Sequence, residues 1–77
     1  MAAGVLSLKP GEDDTQEPHN SDEMYYVLSG NGFLRINKTD YSIKSGKAFF
    51  VPMNVEHYFF GNTKKLTVLY FFGGSNS

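Results

Sequence analysis

Apolar residues in this chain come in short runs of four to seven, and turn-forming residues separate them. No stretch repeats apolar positions at i, i+3, i+4 and i+7 over the ten or so residues a helix needs, so no helix is predicted. Strands are predicted instead. Residues 5–8 form a run stopped by Lys9-Pro10-Gly11, and residues 23–29 one stopped by Gly30-Asn31-Gly32, a step rich in residues that tolerate positive φ. Residues 33–37 alternate apolar and polar, Lys38-Thr39-Asp40 turns the chain, and residues 41–44 return, which reads as a hairpin. Residues 48–51 end at Pro52, residues 55–60 at Gly61-Asn62, and residues 66–72 form the most apolar run before a flexible tail at 73–77. Short strands at this spacing predict an all-β sandwich or barrel, a single domain spanning residues 1–77.

The strands also predict a partner. Met24, Tyr26 and Leu28 fall on one side of the second run and Tyr25 and Val27 on the other, and residues 66–72 are likewise apolar on both sides. A lone barrel would leave one of those faces in water. A chain of 77 residues buries only about 60% of the surface its unfolded form exposes. Domains of this size gain from a disulfide, a metal or a second subunit. With no cysteine in the sequence, a metal and a homodimer remain.

Charge narrows the partners. The net charge is −1 and the seven basic residues are scattered, so neither nucleic acid nor an anionic membrane is expected to bind. The first residues lack a basic leader pattern and no run is long enough to span a bilayer, so a soluble, cytoplasmic protein is expected. Asn37-Lys38-Thr39 matches a glycosylation acceptor, read here as a chance match in a turn. Any chemistry must rest on histidine, carboxylates, hydroxyls or a bound cofactor, because no thiolate exists.

The chain has two histidines, and one stands in an acidic stretch, EPHNSDE, at residues 17–23. In an extended segment Glu17 and His19 share a face, and Pro18 favours that conformation at Glu17. A bend at Asn20-Ser21-Asp22 would return Glu23 to His19. His57, far along the chain, follows a turn at Pro52-Met53-Asn54 and can face the others across a closed barrel. Two imidazoles with one or two carboxylates suit a divalent transition metal such as Fe, Mn, Zn, Ni or Cu, whereas Mg and Ca prefer oxygen alone. The same residues also read as one surface histidine, one hydrogen-bonded histidine and solvated acids, and spacing alone leaves both readings open.

These residues resemble the two motifs of the cupin family. The first runs Gly, five residues, His-x-His, three or four residues, Glu, six residues, Gly; Gly11, Glu17-Pro18-His19, Glu23 and Gly30 fall into that frame. The second runs Gly, five residues, Pro-x-Gly, two residues, His, three residues, Asn; Gly46, Pro52-Met53-Asn54, His57 and Gly61 follow it, fifteen residues after the first. The resemblance covers residues 5–72 and implies a small jelly-roll barrel, a double-stranded β-helix. It implies metal ligands at His19, Glu23 and His57. The family's first histidine is replaced by Glu17, either a fourth, oxygen ligand or a side chain turned to solvent. Asn54 stands where the family has glycine, a mild change because asparagine tolerates the left-handed conformation, and Asn62 lies one place beyond the family's closing asparagine. By the same resemblance Gln16 is expected to stand behind the metal ligands, at the wall of the substrate pocket. The resemblance also implies that further N-terminal strands can precede residue 5, so that the barrel is completed by exchange with a twin.

The fold hosts many activities and names none. The leading expectation is a metal-dependent enzyme, of dioxygenase, isomerase or lyase type, acting on a small oxygen-bearing substrate. Tyr25, Phe49 and Phe59, with Val27 and Val51, share strand parity with the proposed ligands and are expected either to wall an apolar pocket or simply to fill the core. The alternatives are a non-catalytic module that senses or carries a small molecule, and a structural dimer unit with a degenerate site. No histidine remains outside the proposed ligands to serve as a general acid or base.

Overall fold

A computed structural model describes residues 2–14 and 21–73. Seven strands follow one another: β1 (Ala2–Leu8), β2 (Glu23–Ser29), β3 (Asn31–Ile36), β4 (Thr39–Lys44), β5 (Ala48–Val51), β6 (His57–Phe60) and β7 (Leu66–Phe72). They form two antiparallel sheets, one in the order β1-β7-β2-β5 and the other β4-β3-β6. Among the described residues there is no helix, and hence none long and apolar enough to cross a membrane. The expected all-β architecture is therefore observed.

β2, β5 and β7 occupy the predicted runs, and the remaining bounds differ for local reasons. β1 begins at Ala2, because the whole of Ala2–Leu8 pairs with β7. Only Gly30 separates β2 from β3. Its φ of +97 turns the chain, and a Cβ there would fall 2.5 Å from the Lys65 carbonyl oxygen, so this position excludes every larger residue. Asn31 and Gly32, expected in the turn, instead pair with Lys44 and Ile43. The hairpin turns at Asn37-Lys38 rather than one residue later, since Asn37 adopts φ +59 and lets Ile36 pair directly with Thr39. β6 begins at His57 rather than at residue 55; the Val55 and Glu56 carbonyls accept from His57 and from the Asn37 backbone.

The inner faces of both sheets meet in one core of Leu8, Tyr25, Val27, Leu34, Ile43, Val51, Phe59, Leu66 and Val68. The sheets are tied at a β-bulge between Val27 and Ser29: Val27 donates to the Lys47 carbonyl and accepts from the Gly46 amide, and the Ser45 hydroxyl donates to Leu28. Asn62, one place past the family's asparagine position, is buried, and its amide donates to the Leu8 and Lys64 carbonyls. It thereby closes the β6–β7 turn over the end of β1.

Candidate metal centre

Alternation along β2 sends Glu23, Tyr25 and Val27 inward and Met24, Tyr26 and Leu28 outward. Glu23 opens the strand at one end of the barrel, opposite Val51 on β5 and Phe72 on β7. His57 opens β6 on the facing sheet, opposite Ile36. The two strand starts converge, and Glu23 Oε1 lies 3.2 Å from His57 Nε2, with both side chains at most 3% exposed. Asp22 helps to hold them in place. Its carboxylate accepts from the Met53 amide at 3.0 Å, joining the start of β2 to the loop that delivers His57. That loop bends at Asn54, which adopts φ +60 in place of the glycine of the family pattern.

The hydrogen bonds of His57 define its chemistry. Nδ1 lies 2.8 Å from the Val55 carbonyl oxygen, an acceptor only, so in the neutral ring the proton sits on Nδ1 and Nε2 carries the lone pair. The Tyr25 hydroxyl, 2.9 Å away, donates to that lone pair. Imidazoles that bind metals through one nitrogen are held in this way by a carbonyl on the other. The spacing also fits. Two donors each about 2.1 Å from an ion stand about 3.0 Å apart at a right angle and about 3.4 Å apart at the tetrahedral angle, and 3.2 Å lies between the two. Glu23 and His57 thus supply one oxygen and one nitrogen to a common buried point. Among the described residues no third histidine or acid joins them. His19, Glu17 and Gln16 lie outside the described residues.

Aromatic rings surround the pair. Tyr25 is fully buried and packs edge-on against Phe59 at 5.0 Å, with its ring 5.8 Å from that of His57. Phe59 is equally buried in the core behind Tyr25, while Phe49 is half-buried beside Tyr41. Tyr70 and Phe72 on β7, not singled out from the sequence, stack on each other at 5.9 Å and share the inner face with Tyr25 and Glu23. Their even numbering, opposite to the parity of β2, hides them from a reading of one strand at a time. All seven basic residues lie in turns or on outer faces. A separate surface cleft of about 410 Å³ lies between residues 11–14 and residues 58–62. It is shaped in part by Asp14, whose carboxylate accepts from the Phe59 amide at 2.8 Å, and it contains neither Glu23 nor His57.

Comparison with known proteins places this barrel. The sequence matches the family described as Cupin domain over residues 4–72. The chain belongs to the cupin family. An uncharacterized protein of Streptomyces coelicolor is 32% identical over 77 residues, covering all of this cupin and 73% of its relative. Dimethylsulfoniopropionate lyase DddW of Ruegeria pomeroyi is 30% identical over 57 residues, which are 74% of this cupin and 38% of the lyase. A solved structure of a predicted oxalate decarboxylase from Thermotoga maritima superposes with a TM-score of 0.80 at 25% identity, over 91% of this cupin and 63% of that chain. The chain thus spans well under half of the lyase it resembles.

Proposed function

We propose that this cupin is a metal-dependent enzyme of lyase type, working as a homodimer on a small oxygen-bearing substrate. His57, Glu23 and His19 would hold a divalent transition metal, with Glu17 as a fourth ligand. The observation that carries this reading is the buried convergence of His57 Nε2 and Glu23 Oε1 at 3.2 Å, with the Nδ1 proton held by Val55. Bound there, such an ion supplies Lewis acidity to a substrate carboxylate, keto or enol oxygen. The chain's own part is orientation and proton handling. The Tyr25 hydroxyl, 2.9 Å from Nε2 of His57, is the chain's proton-bearing group beside that site and would exchange its proton with substrate. Tyr70, Phe72 and Phe49 offer apolar walls on the same inner face. Among the described residues no lysine or arginine lies on an inner face, so the metal would be the anchor for an anionic group. The lyase class rests on the likeness to the dimethylsulfoniopropionate lyase, a likeness that covers 38% of that protein.

Elemental analysis of the full chain, purified without chelator or metal-binding tag, should find about one transition metal ion per chain. His57→Ala and His19→Ala should each lose it. Metal-free wild type that also binds none of the added Fe, Mn, Zn, Ni or Cu would overturn the site. With metal present, cleavage of dimethylsulfoniopropionate and of related small carboxylates is the activity to measure; O₂ consumption instead of cleavage would replace lyase by oxygenase.

A further inference from the structure

The four-stranded sheet has an outer face that none of the described residues covers. Two cross-strand rows run over it: Phe71, Met24 and Phe50 pair across β7, β2 and β5, and Val5, Leu69 and Tyr26 across β1, β7 and β2. Val5 is 59% exposed, Phe50 53%, Met24 45% and Tyr26 42%. These are high values for large apolar side chains set side by side. The four strands contain a single charged residue, Glu23, and it is buried inward against His57.

The other sheet is different. Its outer face carries Arg35, whose guanidinium donates to both carboxylate oxygens of Asp40 and to the Tyr58 hydroxyl and lies over the rings of Tyr58 and Phe60. Its charge is satisfied within the chain, as the water-facing side of a sheet requires.

We infer that the outer face of the β1-β7-β2-β5 sheet seats the same face of a second copy of this chain. The inference rests on the homodimer reading above and assigns its interface. Large side chains left about half exposed offer on the order of 100 Å² each, so the five on this face, Leu28 included, present roughly 500 Å² before Leu69, Phe71 and the smaller residues are added. That approaches the ~800 Å² per partner of a stable interface and fills the range in which a monomer's largest apolar patch usually ends. A partner with charged groups would have to bury them unpaired here, which costs several kcal/mol per ion. A second copy brings a neutral face of equal extent, and a two-fold contact between uncharged faces sets no like charges against each other.

The full chain at micromolar concentration should run in size exclusion with light scattering at twice its mass of 8.6 kDa. Tyr26→Lys and Phe50→Glu should each run as monomers, while Phe33→Lys, on the other sheet and 41% exposed, should remain a dimer. A measurement on the wild type avoids any dependence on variant folding. Met24 and Met53 are 45% and 42% exposed in the single chain, and only Met24 lies on this face. Mild peroxide should therefore oxidise Met24 roughly tenfold more slowly than Met53. A monomeric wild type overturns the homodimer reading and the face together. A dimer in which Met24 and Met53 oxidise alike, or which Tyr26→Lys and Phe50→Glu leave intact, overturns the face and leaves the homodimer reading standing.

Discussion

His57 shows how much a single side chain's surroundings decide. From the sequence it is one of two histidines, placed by motif spacing. In the barrel its Nδ1 proton goes to Val55 and its Nε2 lone pair faces Glu23 and the Tyr25 hydroxyl. Tyr25 was legible only as an inward aromatic on β2. Its hydrogen bond spans 32 positions of sequence, and no local pattern encodes a contact of that range. Removing that hydroxyl tests the contact. In chelator-treated protein Tyr25→Phe should cost about 1 kcal/mol, the usual net worth of a hydrogen bond, lowering Tm by roughly 4–8 °C in a domain of this size. Metal content after reloading should be unchanged, since the phenol is not among the proposed ligands. An unchanged Tm in scanning calorimetry would remove Tyr25 from the account of the site.

At the level of strands, hydrophobic runs located every element, and backbone conformation set their ends. Asn37 at φ +59 moves the hairpin turn, and Gly30 at φ +97 shortens the β2–β3 connection to one residue. A run of apolar letters carries neither fact, because a residue capable of positive φ need not adopt it. Gly30 offers the sharper prediction. A Cβ would meet the Lys65 carbonyl oxygen at 2.5 Å and the Leu66 Cα at 2.8 Å, backbone atoms at the start of β7 that cannot swing aside. Left-handed strain alone costs about 1–2 kcal/mol for a non-glycine residue. With the clash added, Gly30→Ala should lose more than ~2 kcal/mol in urea unfolding. A loss below ~0.5 kcal/mol, the size of a neutral surface change, would mean that the turn relaxes freely.

For the whole molecule, the question is what completes so small a core. Among the described residues the barrel buries nine apolar side chains and leaves one sheet face bare, and the two proposed supplements, a metal and a second copy, act on stability by mass action. Apparent Tm should therefore rise with protein concentration. It should rise further with the metal found in the purified protein: at about 100 times its Kd the gain is about 2.7 kcal/mol, roughly 11–22 °C here. A Tm independent of both in differential scanning fluorimetry would leave the barrel standing on its own packing.

The fold was readable from the order of letters because strand periodicity, turn chemistry and motif spacing are local, and each is written within a few neighbouring residues. The inward parity of Glu23 and the approach of His57 to a barrel end were legible on the same terms, the second through the motif frame. Closure of the two sheets decided the rest. It set Glu23 against His57 across two strand starts, while the pairing of β2 with β7 brought Tyr70 beside Tyr25 and Phe72 beside Glu23. It also sorted two equally apolar sides of β2 into a core and a bare face. Alternation assigns residues to sides, but only the packing of one sheet on another determines which side meets water.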